Sequence, residues 1–265
     1  MILKDACQWS REGWIWAPQE KWEEFVRRKE NCLHIEFPKK RKITSSLFDI
    51  QAHGICVIED NASLRSWQGA VLWEYETEGV KYPVIQIRKS MPRLWRRAYT
   101  QKEMIEHELV HAVRFAYKEP FFEEVLAYQT SPKKWRRFLG PLFIYPWEAT
   151  LLLCASLGAF FFSLIQDSFL GVGFLLALFG VFFFRLLFLQ GIFALCKRKL
   201  EKTGCASNFT LAVMLRLSDA EIVRIALRSS KNNLTYFQSQ DKQDTRLSVL
   251  VHLYFKKPEE KQVYF

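Results

Sequence analysis

The stretch TQKEMIEHELVHAVRFAYKEPFFEEVLAY, Thr100 to Tyr128, decides how this chain is read. Thr100 with Glu103 three residues later is a capping-box pattern, so a helix opens there. That helix runs through MIEHELVHAVRFAY without a proline or a glycine, and Met104, Ile105, Leu109, Ala112, Val113 and Ala116 are its apolar positions. Pro120 stops it. His107 and His111 stand one turn apart on the same face, with Glu108 beside them. A second helix, opening at Phe121 or Phe122, carries Glu123, Glu124, Ala127 and Tyr128.

Histidines at i and i+4 present imidazole nitrogens from successive turns, and tetrahedral zinc with an open position for water needs one further protein ligand. Glu124, 13 positions beyond His111, and its neighbour Glu123 are the candidates. Adjacent helical residues diverge by about 100°, so only one of the two faces the metal. Glu108 is placed to take a proton from an activated water and return it to a leaving amine. Such a site also needs a donor for the developing oxyanion. By residue type the candidates are Tyr128, Tyr117, Arg114, His53 and His34, with His252 in the tail a weaker one. Arg114, three residues beyond His111, has the alternative role of an ion pair that orients Glu123 or Glu124.

These residues resemble the gluzincin branch of the HExxH zinc metallopeptidases, in particular its small, minigluzincin-type or membrane-associated forms, whose third ligand lies in an ExxAY or ExxAD helix. Glu124-Val125-Leu126-Ala127-Tyr128 matches that pattern. The resemblance covers roughly residues 54 to 130 and implies a zincin-like fold with His107, His111 and Glu124 holding Zn2+. It also implies that Glu123 stands behind the ligands, that Ala127 lets the two helices approach closely, and that Tyr128 orients a ligand or stabilises the oxyanion. The metzincin pattern HExxHxxGxxH is absent, since Arg114 and Phe115 follow His111 where that pattern has a glycine.

The chain has 265 residues and a net charge of +10. Its basic runs, Lys39–Lys42, Arg93–Arg97, Lys133–Arg137 and Lys197–Lys202, flank apolar or helical segments, and two of them bracket the long apolar stretch from Thr150 to Cys196. That placement follows the positive-inside bias of membrane proteins. Nucleic acid is not an expected partner: there is no zinc-finger spacing, glycine-rich phosphate loop or aromatic-spaced basic groove. The six cysteines have no CxxC spacing and read as reduced thiols. Polar residues from Asp5 to Glu12 interrupt any apolar run near the N-terminus, so no signal peptide is expected.

Gln166-Asp167-Ser168 divides the apolar stretch into two candidate spans, Glu148 to Ile165 and Phe169 to Cys196, joined as a hairpin with Tyr145 and Trp147 at headgroup level. Arg185 lies inside the second span and must snorkel, end the span early or find a partner. Upstream, Trp9, Trp14 and Trp16 belong to a short packed arm or rest at an interface, and a helix opens near Pro18 with Trp22, Phe25 and Val26 as its apolar face. Gly54–Ile58, Ala70–Tyr75 and Tyr82–Ile87 read as an antiparallel sheet, and the alternation of Ile85 and Ile87 with Gln86 and Arg88 predicts one buried and one wet face. Its edge strand is a candidate cradle for an extended peptide. Downstream, Ser218 and Glu221 cap a helix over Asp219–Leu227, Arg246–Phe255 is strand or helix, and the last ten residues are expected to be mobile.

The expected architecture is α+β. A zincin-like domain over residues 1–140 has a small antiparallel sheet and the HELVH helix, a transmembrane hairpin follows over 141–197, and a small cytosolic region over 198–265. The expected function is a zinc-dependent peptidase acting on peptide or protein substrates, membrane-associated ones among them, from a cytoplasmic domain anchored in the bilayer, with both termini cytoplasmic. Its rival is an inactive membrane scaffold with a structural metal site.

Overall fold

A computed structural model of the chain describes residues 2–34, 43–52, 55–65, 68–77, 79–90, 99–165, 170–229, 233, 236–237 and 244–255. His53, the basic runs 39–42 and 93–97, the 166–168 turn and the last ten residues lie outside them.

The expected N-terminal arm is a helix, α1 (Ile2–Arg11), followed by a left-handed Gly13 at φ 88°. A Cβ at Gly13 would meet Ala52, Ile50 and Val113 at 3.3–3.4 Å, so this turn lies against the HELVH helix. α2 (Trp22–His34) begins four residues after Pro18. Its Trp22 and Phe25 stack with Trp9 and Trp16, and Arg28 bonds Glu20 and the Ile15 carbonyl to close the loop before it.

A short antiparallel pair, β1 (Ile43–Ser45) and β2 (Ile50–Ala52), precedes a three-stranded sheet in the order β3-β5-β4. The sheet is mixed, which corrects the antiparallel expectation. β4 (Ala70–Thr77) and β5 (Val80–Ile87) form the expected hairpin through Gly79, but β3 (Cys56–Glu59) runs parallel to β5 along its other edge. The cause lies in β5, whose Val84, Ile85 and Ile87 are fully buried and which therefore takes the centre of the sheet. Gln86, expected on a wet face, is only 6% exposed. It accepts from Trp73 Nε1 at 2.6 Å and donates to the carbonyls of Asp60 and Ala62, tying the crossover from β3 to the sheet.

The HELVH helix, α3 (Gln101–Arg114), opens on Thr100, whose hydroxyl accepts the Glu103 N–H at 3.1 Å. Only that half of the capping box forms, because the Glu103 carboxylate pairs with Arg136 at 2.9 Å instead. α4 (Pro120–Tyr128) follows with proline at its first turn, as the missing N–H allows. α5 (Lys134–Leu139) and a 3-10 turn lead into α6 (Pro146–Ile165) and α7 (Leu170–Lys202), two apolar helices long enough to cross a membrane.

α7 has two environments. Leu170, Phe174, Val181 and Phe184 are exposed, whereas Leu189, Phe193, Cys196 and Leu200 recur every three or four residues on one face and belong to the main core. Only the first part of the apolar run up to Cys196 is therefore exposed, and the rest of the expected second span packs against protein. Arg185 stands at the junction. It bonds Glu148 at 2.5 and 2.7 Å and the Leu142 carbonyl at 2.9 Å, so its partner comes from the opening turn of α6.

Beyond α7, α8 (Thr210–Leu215), α9 (Asp219–Leu227) and α10 (Thr245–Leu250) return to the same core as α3 and α4. Ser218 and Glu221 form a complete capping box at 3.1 and 2.8 Å. The stretch Arg246–Phe255 is helical, its last turn wide. Buried Arg216 gathers Ser10 Oγ at 2.7 Å and the carbonyls of Phe48 and Ala212. One side chain thus joins the N-terminal helix, the first hairpin and α8.

Candidate metal centre

The one-turn spacing in α3 brings His107 Nε2 and His111 Nε2 to 3.4 Å of each other. From α4, Glu124 reaches in with Oε2 at 3.9 Å from His107 Nε2 and Oε1 at 3.6 Å from His111 Nε2. Two zinc ligands at about 2.0–2.1 Å in a tetrahedral arrangement lie about 3.3 Å apart. The three donor atoms, all within 4.8 Å of one another, therefore fit a single ion with little movement. The protein contains a His/His/Glu cluster able to hold a metal ion, and no fourth such ligand stands with it among the described residues.

Both histidines are oriented from behind. His111 Nδ1 lies 2.7 Å from Glu123 Oε1, and with Glu123 accepting the Nδ1 proton, Nε2 is left bare to face the centre. His107 hydrogen-bonds the backbone of Ala127, which is completely buried between α3 and α4. Adjacent carboxylates on one helix thus split their work: Glu124 faces the cluster, and Glu123 holds the back of His111.

Arg114 extends this support. It is fully buried, with its Nε 3.8 Å from Glu123 Oε2 and its remaining nitrogens on the carbonyls of Leu215 and Leu217, at 2.9 and 2.7 Å, and on Asp219 Oδ1 at 3.2 Å. Asp219 in turn accepts from the Phe121 N–H at 3.1 Å. The C-terminal helices therefore grip both helices that supply the cluster.

The charges are frustrated without a cation. Burial, reinforced by His111, pushes His107 down to about 3. Burial also opposes charge on His111, but the Glu123 hydrogen bond and the carboxylates of Glu124 and Glu108 outweigh it and raise His111 to about 9. Burial raises Glu124 to about 7 against the pull of His111, and it raises Glu108 as well. A dication would supply the positive charge these buried carboxylates lack.

Glu108 lies against the backbone N–H of Leu72 in β4. β4 is an edge strand, and its ladder with β5 is in phase with the Arg88 N–H to Gly69 carbonyl bond of 2.9 Å. Hydrogen-bonded pairs alternate in such a ladder, so the peptide groups of Ala70, Leu72 and Glu74 point off the open edge. A cavity of about 240 Å³ opens beside it, lined by Ala70, His107, Glu108, Tyr128 and Arg136 among others. The Tyr128 ring meets His107 edge-on at 4.8 Å, and burial together with Glu124 raises its phenol pKa, which keeps it a proton donor.

Of the other residues singled out by type, Tyr117 is turned away, donating to the Arg216 carbonyl at 2.8 Å. His252 sits in the last helical turn and is not part of the cluster, and His34 ends α2 with its side chain outside the described part of the structure. Sequence reasoning missed Glu103, Arg136, Asp219 and the Leu72 N–H. Arg136 was legible only as one of a basic run, and its partner Glu103 only as half of a capping box. Comparisons of the chain with protein-family models, with curated proteins and with solved structures gave no significant match.

Proposed function

We propose that this metal-binding protein with two membrane-length helices is a membrane-anchored zinc peptidase. The observation that carries the reading is the open side of the cluster. A structural zinc is closed by four protein ligands, whereas here three converge among the described residues, and one of them, His107, lines a cavity together with Glu108 and Tyr128.

Zinc bound by His107, His111 and Glu124 would supply a Lewis acid and an acidified water. Glu108, drawn off the Leu72 N–H, takes the proton as the peptide carbonyl is attacked and passes it to the leaving amine. Tyr128 donates its phenol hydrogen to the developing oxyanion. The open edge of β4 offers peptide groups at Ala70 and Glu74 to an extended chain, which would align the scissile bond beside the helix. The basic runs at Lys133–Arg137 and Lys197–Lys202 support a topology with the hairpin entering and leaving on the cytoplasmic side, and the site with them.

A second reading, a membrane scaffold with a metal site and no turnover, draws on the contact between Glu108 and Leu72, which engages the proposed base. The test is zinc content and hydrolysis of a mixed peptide library by detergent-solubilised protein, wild type against Glu108→Gln. Stoichiometric zinc with cleavage lost in the variant supports the peptidase. Stoichiometric zinc with no cleavage by either protein supports the scaffold, and a folded, zinc-free protein sinks both.

A further inference from the structure

The short helix α5 is built inside out. Its charged Arg136 is buried against Glu103 and stacks over the Tyr99 ring at 3.5 Å. Its apolar residues Trp135, Phe138 and Leu139 stand at i, i+3 and i+4 on one face and are 63%, 41% and 41% exposed. A helix bordered by water is arranged the other way. Exposed Lys134 and Arg137 flank the apolar stripe.

This face is continuous with the lipid-facing part of the molecule. Exposed Tyr145 and Trp147, stacked with ring centroids 6.1 Å apart, lead from it into α6. The last carbonyls of α5 are held from α7: Gln190 Nε2 donates to Arg137 and Phe138 at 3.0 and 2.9 Å. Five residues earlier on α7, Arg185 binds Glu148 and the Leu142 carbonyl. α5 is therefore fixed beside the level at which the hairpin leaves its apolar surroundings.

We infer that α5 lies in the plane of the membrane surface, with Trp135, Phe138 and Leu139 at the acyl boundary and Lys134 and Arg137 against anionic phospholipid headgroups. Arg136, on the opposite face of the same helix, lines the cavity beside Tyr128. A helix with its side chains is about 10–12 Å across, so the cavity opens roughly one helix width from the headgroups. Resting on the peptidase reading, the substrate class is then the membrane-proximal segment of a membrane-inserted polypeptide.

The cysteines allow a direct test in the full chain, because Cys154 in α6 is exposed and the other five are buried. An environment-sensitive fluorophore is attached to native Cys154, or to Phe138→Cys or Glu30→Cys in a Cys154→Ala background, and the protein is reconstituted in vesicles. The vesicles are phosphatidylcholine alone or phosphatidylcholine with phosphatidylglycerol, and carry nitroxide lipids labelled near the headgroup or deep in the chain. The 138 label is expected to be quenched by the shallow nitroxide at least about twofold more than the label at 30, and more strongly with phosphatidylglycerol present. The Cys154 label is expected to respond to a nitroxide within the bilayer.

Quenching at 154 but not at 138 overturns the assignment. So does a 138 label shielded from both nitroxide lipid and aqueous iodide, which would mean a protein covers this face. No response to phosphatidylglycerol removes the anionic headgroup from it, and no quenching at 154 removes the bilayer altogether. None of these readouts needs turnover, so a quenched 138 label on a protein without peptidase activity retains the surface assignment and refutes only the substrate class.

Discussion

Replacing Arg114 with methionine tests whether the C-terminal helices support the cluster through one buried cation. The side chain is fully buried, and removing its charge strands Asp219 and leaves the Leu215 and Leu217 carbonyls without a donor. Methionine fills most of the volume, so the loss is mainly electrostatic. Removing one partner of a buried ion pair costs about 3–5 kcal/mol, a large share of the roughly 5–15 kcal/mol that keeps a domain folded. At about 2–4 °C per kcal/mol for a domain of this size, the metal-free protein should unfold about 10 °C lower. Zinc affinity should fall as well, by about 10- to 100-fold, because Glu123 loses the charge that faces it from behind His111. Glu123→Gln, which removes the carboxylate facing Arg114 but leaves Arg114 its other partners, should weaken zinc binding in the same direction. The assays are thermal unfolding in detergent with a chelator and competitive zinc titration. If metal-free Arg114→Met unfolds within ~2 °C of wild type, the buried-charge argument is wrong. If it unfolds early but binds zinc as well as wild type does, Arg114 supports the fold and not the centre.

Two further changes probe the site and its anchor. A Cβ at Gly140 would come within 2.2 Å of the Tyr128 ring, so Gly140→Ala should displace the tyrosine from His107. It should cut kcat by about 10²–10³ with zinc content unchanged, matching Tyr128→Phe, and full turnover in either variant would remove Tyr128 from the chemistry. Because Glu148 and Arg185 already meet at 2.7 Å, residues 149–184 can be replaced by a linker of about six Gly/Ser residues, which spans up to ~20 Å. The shortened chain should fold by circular dichroism and bind one zinc, and loss of both in a dispersed preparation would show that the exposed apolar half of the hairpin is needed for the core.

The parts of this structure that could be read from the sequence are those whose physics is local. Thr100 and Ser218 announce their helices because a cap and its N–H donor lie within one turn, and His107 and His111 share a face by helical geometry alone. What joins these pieces is not local. Gln86 reads as a wet residue in an alternating strand until Trp73 and the crossover carbonyls of Asp60 and Ala62 are brought against it. Arg114 bonds through its two terminal nitrogens to residues about a hundred positions away, and no pattern in either segment signals that pairing.

The longest apolar run shows the same limit in a sharper form. Composition does not distinguish a helix surrounded by lipid from one surrounded by protein, because both exclude water. The two halves of α7 differ: the first is exposed and apolar, and the second packs into the core that also holds Val125 and Leu126 of the Glu124 helix. Arg185 marks the change, since a charge there is tolerable only with a partner, and Glu148 and the Leu142 carbonyl provide one. The interior charge thus stands where the exposed apolar surface of α7 gives way to its core-packed part. The helix with this membrane-length apolar surface also packs in the core with the helix that carries Glu124, so a shift of α7 through that junction would bear on Glu124.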